Sequence, residues 1–226
     1  MTKYYTENLA AERLKLAYDI APPKVKKYLE TEINHVLRRI RSDDILLELG
    51  CGYGRVLAYL SQKAARVMGI DTSRRSLHYG HRLLSQTPNC ALICADAVQL
   101  PFHDGMFDCV LCIQNGISAF KVEPRELILE SLRIVKPGGK VIFSSYSEKF
   151  WEDRMDWFRL QSEAGLLGPI DEDKTGNGII VCKDGFTART ISPDEFLTLT
   201  AGLGAEVKIE EVDDSSLFCE LTLWHR

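Results

Sequence analysis

Hydrophobic positions change period along this chain, and each change marks a different kind of element. Over the first forty residues the period is helical. Thr6 is placed to cap a helix carrying Leu9, Leu14, Leu16 and Ala17. Pro22-Pro23 ends that helix and opens a second, because proline suits the first helical turn. The second helix sets Val25, Leu29, Ile33, Val36 and Ile40 on one face. The spacing therefore predicts two helices before residue 41.

From Asp44 onward short apolar runs alternate with amphipathic stretches. The runs are Ile45–Leu49, Val67–Ile70, Ala91–Cys94, Phe107–Ile113 and Lys140–Ser144. Helical patterns at Arg55–Ala65, Ser73–Ser85 and Arg125–Val135 lie between them. Fully apolar strands joined by helices predict a parallel sheet covered on both faces. Lys136-Pro137-Gly138-Gly139 reads as a turn that stops a helix and launches a strand.

After Tyr146 the alternation breaks. Trp151, Trp157 and Phe158 fall at the spacing of a helix face. A polar stretch follows, and then a hairpin pattern, Ile179–Cys182 and Phe186–Ile191, around Asp184-Gly185. Ser192-Pro193-Asp194-Glu195 is a helix start, with a capping serine, a proline in the first turn and a glutamate three residues past the cap. Two alternating segments, around Val207 and Ile209 and then Leu217 to Leu223, close the chain. The short polar link Asp213–Ser216 predicts that they pair antiparallel.

Composition narrows the class. The chain has 226 residues, 45% apolar and 27% charged, with a net charge of -4. That is ordinary globular usage, and it excludes a disordered, collagen-like or disulfide-scaffold chain. The longest stretch free of Asp, Glu, Lys and Arg is Leu83–Ala95, far short of the roughly 20 apolar residues of a spanning helix. Seven cysteines, an odd number scattered through apolar strands, read as reduced thiols, and the charged N-terminus lacks a signal-peptide block. The expectation is a cytoplasmic protein, monomer or homodimer, without a membrane or nucleic-acid partner.

The chemistry concentrates at Glu48-Leu49-Gly50-Cys51-Gly52-Tyr53-Gly54. A buried strand runs into alternate glycines and then a helix. Such a turn lets a ligand approach backbone N–H groups at a helix N-terminus. A dinucleotide fingerprint would place its last glycine where Arg55 stands. Glu48 would repel a pyrophosphate and suits a ligand with a cationic end. Asp71, at the tip of the second strand, is positioned to accept from both ribose hydroxyls. Asp96, at the third tip, is positioned to accept from an adenine amino group. Together these acids describe a pocket for an adenosine with a positively charged, non-phosphate tail.

These segments, with Gly69-Ile70-Asp71, Ala95-Asp96-Ala97, Phe107-Asp108-Cys109-Val110 and Lys136–Gly139, resemble in order and spacing the motifs of class I S-adenosylmethionine-dependent methyltransferases. The resemblance spans Ile45 to Tyr146, roughly half the chain. It implies an α/β, Rossmann-like fold: a seven-stranded, mostly parallel sheet with an antiparallel last strand and helices on both faces. It implies S-adenosylmethionine as cofactor and S-adenosylhomocysteine as product. Glu48, Gly50, Cys51, Gly52, Tyr53 and Gly54 would hold the methionine moiety and Asp71 the ribose. Asp96 and Ala97 would meet the adenine, with Thr72 and Gln114 lining the pocket.

Residues 1–41 then read as an N-terminal helical lid, residues 42–226 as the methyltransferase domain, and residues 147–190 as a substrate-side insertion. The outer segments resemble small-molecule methyltransferases, N-directed ones among them. The expected activity is methyl transfer to a small-molecule acceptor, an amine for preference. Tyr4, Tyr5, Asn115, Tyr146 and Trp151 are the expected substrate-side residues. A non-catalytic S-adenosylmethionine-binding subunit or sensor and an aminopropyl-type transferase are the alternatives. No catalytic residue stands out, and an amine acceptor needs none beyond losing its proton. Cys109 and Cys112, three apart on a strand, face opposite sides and suit no metal. His78 and His81 read as a solvated helix face, and His103 as a weak candidate base near the adenine edge.

Overall fold

In a computed structural model the chain is described over residues 3–120 and 122–224. The central sheet contains β1 (Ile45–Leu49), β2 (Arg66–Asp71), β3 (Cys90–Cys94), β4 (Phe107–Cys112), β5 (Val135–Tyr146), β8 (Ala205–Val212) and β9 (Ser216–Leu223), in the order β3-β2-β1-β4-β5-β9-β8. The first five strands run parallel, and β9 runs antiparallel to both β5 and β8. This is the expected topology. The order reverses between β1 and β4, so the crevice for a ligand opens at the carboxyl ends of those two strands.

Strand alternation divides the core into two layers. Leu47 and Leu49 pack on one face with α6 (Pro124–Ile134) and α8 (Pro193–Thr200). Leu46 packs on the other with α3 (Pro23–Leu37), α4 (Arg55–Leu60) and α5 (Arg74–Leu83). Cys109 lies in the second layer and Cys112 in the first, as their spacing requires. Ser192 caps α8 by accepting from the Glu195 amide, with Pro193 opening the helix. Lys136–Gly139 belongs to β5 rather than to a free turn. The strand begins at Val135, opposite Phe107, and slips register before Lys140, with Gly138 at φ 76° absorbing the irregularity.

A third apolar cluster sits above the sheet's carboxyl edge. It joins the N-terminal helices to α7 (Trp151–Glu163) and to the hairpin of β6 (Ile179–Val181) and β7 (Thr187–Arg189). Among the described residues before 41 there are three helices, not two: α1 (Lys3–Glu7), α2 (Glu12–Asp19) and α3. Thr6 lies within α1 instead of capping a longer helix. The break is at Ala11, whose φ of 53° is a left-handed value and whose N–H donates to Ser76 Oγ at 3.0 Å. A tertiary hydrogen bond to α5 thus ends a run that the apolar period alone would continue.

Behind the sheet, Arg39 pairs with both Glu210 and Glu220, and the Glu220 carboxylate accepts from His35 Nε2 at 2.7 Å. This network ties α3 to β8 and β9 and gives those carboxylates a counter-charge.

Candidate active site

The glycine turn is held by its own conformation and by one acid. Gly50, Gly52 and Gly54 all have left-handed φ, at 72°, 56° and 80°. L side chains rarely adopt such backbone, so the alternate-glycine spacing is a geometric requirement of the turn. Asp71, 3% exposed, accepts from the Gly52 N–H at 2.9 Å through one carboxylate oxygen. Its other oxygen accepts from the Ser73 N–H at 2.7 Å. The acid expected to meet a ribose therefore also braces β1's exit loop against β2. Each oxygen retains a lone pair for a further donor.

Above this turn lies a cavity of about 1090 Å³, its mouth included. Glu48, Gly50, Cys51, Gly52, Tyr53, Asp71 and Gln114 line it, and so do Tyr5, Asn115 and Tyr146. Gly54 sits just outside as the left-handed cap of α4. Five further sequence candidates, Ala97, Asp96, Tyr4, Trp151 and Thr72, do not line it either. Ala97 is buried in the core layer with Leu100. Asp96 is exposed and accepts from the Val98 N–H at 3.2 Å, which closes its own loop. Tyr4 points its hydroxyl at Asp184 Oδ2, 2.6 Å away in a separate shallow groove. Trp151 packs beside Arg154. Thr72 is half-buried next to Asp71, and its Oγ1 has no hydrogen-bond partner. His103, His78 and His81 are all exposed and away from the cavity.

The N-terminal helices roof the cavity. Leu14 reaches so close to the glycine turn that a methyl group added at Gly52 would lie 2.9 Å from its Cδ2. Tyr18 receives the Arg55 guanidinium over its ring at 4.3 Å. Trp157 Nε1, on α7, donates to the Ala17 carbonyl at 2.8 Å, which latches the roof to the far wall. Tyr5, Phe158 and Phe186 give the cavity an aromatic end, with Tyr5 and Phe186 ring centres 5.9 Å apart.

The exit of β4 is the most constrained backbone in the site. Gln114 and Asn115 are consecutive non-glycine residues at φ 58° and 59°. Such strain persists only where surroundings over-determine it. Glu32, buried on α3, accepts from the Gln114 N–H at 2.5 Å and from Ser144 Oγ at 2.8 Å. Asn115 Nδ2 donates to the Arg189 carbonyl at 3.0 Å, and its Oδ1 accepts from Ser145 Oγ at 2.9 Å.

Electrostatics mark the same place. Burial pushes the Glu48 carboxyl up to about 8, and the Asp71 charge adds to the rise while Arg55 opposes it. Burial pushes Glu32 up to about 7. Burial also raises Tyr5, Tyr18, Tyr53 and Tyr146, so their phenols stay protonated at neutral pH. Glu48 Oε2, Arg55 Nε and Nη2, Thr72 Oγ1 and Gln114 Nε2 are all buried without a hydrogen-bond partner. Buried polar groups are nearly always paired. Glu48, Arg55 and Gln114 line the cavity, so their unpaired atoms lie beside a space that a polar ligand or water can fill.

Residues 47–143 match the family described as "Methyltransferase domain". Over that segment, somewhat under half of its length, the chain is similar to methyltransferases. The match starts inside β1 and ends inside β5, so it covers the glycine turn and the first four strand tips. Among relatives, a demethylmenaquinone methyltransferase of Clavibacter sepedonicus is 37% identical over 102 residues, 45% of this chain and 41% of that protein. A malonyl-[acyl-carrier protein] O-methyltransferase of Marinomonas sp. is 35% identical over 126 residues, 53% and 45% of the two chains. The chain thus spans less than half the length of these relatives. A solved SAM-dependent methyltransferase of Aquifex aeolicus superposes with a TM-score of 0.63 at 16% identity, over 92% of this chain and 97% of that one. The fold is that of the class I S-adenosylmethionine-dependent methyltransferases. No described helix is long and apolar enough to cross a membrane.

Several lining residues carried no marker in the sequence. Tyr18 and Leu14 belong to a helix whose tertiary position was not readable. Arg55 entered only as a departure from a dinucleotide spacing. Arg154 and Glu32, which lie behind the lining, did leave a signal, since each is a charged residue on the apolar stripe of a helix.

Proposed function

We propose that this chain transfers a methyl group from S-adenosylmethionine to a small-molecule acceptor. The observation that carries this reading is the set of unpaired buried polar atoms facing the glycine turn. Their chemistry fits the group. Glu48 matches the α-ammonium and the sulfonium, the Arg55 fork matches the methionine carboxylate, and Asp71 with Thr72 matches the ribose hydroxyls. When bound, S-adenosylmethionine supplies an electrophilic methyl carbon on a good leaving group.

The protein's part is then positioning and desolvation. The glycine turn and Asp71 hold the ligand's body against the sheet edge. Leu14 and Tyr18 exclude water from above. The β4 exit loop, clamped by Glu32, presents Asn115 and the Gln114 side chain to the cavity. No described histidine lines the cavity, and its tyrosines hold their protons. This favours an acceptor that is already a competent nucleophile when neutral, for which an amine is the natural choice.

Calorimetric titration with S-adenosylmethionine, S-adenosylhomocysteine and NADH tests the cofactor. The first two are expected to bind and NADH not to bind. Transfer of tritium from labelled donor into the small-molecule fraction of a cell extract tests turnover. Binding of NADH, or no adenosyl binding by folded protein, would overturn the reading. Binding without transfer to any fraction would favour a sensor.

A further inference from the structure

Arg154 lies in the middle of α7 and is fully buried. Burial of a guanidinium is costly unless an acid offsets its charge. Among the described residues no carboxylate pairs with it, and the groups that bear on its charge are the phenols of Tyr146, Tyr28 and Tyr5. Its Nη1 donates to the Gly178 carbonyl at 2.9 Å. Its Nε and Nη2 have no partner. Those two N–H groups form the side-on edge of the guanidinium, the fork that fits two oxygens of one planar carboxylate. The Arg154 guanidinium lies 4.5 Å from the ring centre of Tyr146 and 5.5 Å from that of Phe158. Both rings line the cavity, at its aromatic end. Ring faces ease the burial of the cation but accept no conventional hydrogen bond from its edge.

Two forks are thus unpartnered, one on Arg55, which lines the cavity at the glycine turn, and one on Arg154, which lies behind the Tyr146 and Phe158 wall. The cofactor of the reading above has a single carboxylate, and Arg55 stands where that group would lie. Resting on that reading, we propose that Arg154 recognises a carboxylate on the methyl acceptor. The acceptor is then a small carboxylic acid with an apolar or aromatic body, admitted to the fork by a shift of the Tyr146 or Phe158 ring. Both oxygens of a fork-bound carboxylate are engaged and weakly nucleophilic, so the methylated atom lies elsewhere on the acceptor. A lone planar fork without a second cation favours a carboxylate over a phosphate.

The test compares phenylacetate, phenylacetamide and phenylphosphonate as probes, by calorimetry, on the full chain with and without saturating S-adenosylhomocysteine. Phenylacetate is expected to bind about tenfold or more tighter than the amide, a charge-assisted fork being worth at least that. In Arg154→Met the preference is expected to collapse to near unity with S-adenosylhomocysteine affinity kept, and Arg154→Lys is expected to recover only part of it. The ligand-free Met variant is expected to melt no lower than wild type, since it removes an uncompensated buried charge. Equal binding of acid and amide to wild type, no binding of the acid, tighter binding of the phosphonate, or a preference that survives in Arg154→Met would each overturn the proposal. So would a fall in melting temperature with the preference intact, which would make Arg154 a structural brace. Failure of S-adenosylhomocysteine to bind would count against the cofactor alone, because the acid and amide are also compared on ligand-free protein.

Discussion

Glu48 offers a quantitative test of how the site meets its ligand. Its carboxyl is buried, unpaired at Oε2 and pushed up to about 8. At pH 7 roughly 0.9 of the ligand-free molecules then hold a proton there. Binding S-adenosylmethionine brings a cation into the same pocket. A unit charge about 5 Å away at an effective dielectric of about 20 contributes roughly 3 kcal/mol, which lowers the carboxyl by more than two units. Glu48 would therefore ionise on binding and release about 0.8–0.9 proton at pH 7. The ligand's own ammonium, ordinarily near 7.7–8.0, takes up no more than about 0.2 at that pH. Calorimetry in buffers of different ionisation enthalpy measures the difference directly. Net release is expected at pH 7, turning to net uptake near pH 9, where Glu48 has already ionised. Glu48→Gln should show uptake at both. No buffer dependence in wild type at pH 7, or equal release by the variant, would refute the pairing of Glu48 with the cationic end.

Three other outcomes follow from the same geometry. Asp71→Ala leaves the Gly52 and Ser73 N–H groups without their acceptor, so it should cost about 1–3 kcal/mol in denaturant unfolding and weaken S-adenosylmethionine by about 1.5–3 kcal/mol in calorimetry. Gly80→Ala would put a methyl group 2.7 Å from the Tyr53 carbonyl and 2.6 Å from Leu92 Cδ1; a loss of about 1–3 kcal/mol is expected by chemical denaturation, because the carbonyl is backbone and cannot swing away. Ligand-free stability should fall as pH rises from about 4.5 to 8, because native Glu32 and Glu48 keep protons that the unfolded chain has released. Their stabilising contribution is complete below the ordinary carboxylate range and lost through about 7 and 8. Melting temperature against pH, flatter in Glu48→Gln, checks the sign.

Much of this architecture was readable one residue at a time. The apolar runs that became β1 to β4, the Ser192 cap and the antiparallel close of the sheet need only local period and turn chemistry. The glycine turn was readable because backbone at positive φ restricts residue choice so strongly. Asp71, one position past a recognisable strand core, inherited its place from that strand. Where reading failed, the deciding interaction was long-range. Ala11 breaks the N-terminal helix for the sake of a bond to Ser76, 65 positions away. Lys136–Gly139 enters β5 because Phe107 is across from Val135. Asp96 and Ala97 sit just past a strand tip as expected, and the cavity is lined by other residues.

Local sequence thus determined the individual strands and the glycine turn, since each depends on neighbours within a few residues, whereas the strand order and its switch point rest on pairings such as that of Leu46 with Cys109. Tertiary structure alone decided what closes the cavity and what is left unpaired inside it. Tyr18 over Arg55, Trp157 against Ala17 and the open fork of Arg154 each join or isolate groups from distant segments. Burial and pairing are properties of the packed assembly, and no period along a chain encodes which buried charge will lack a partner.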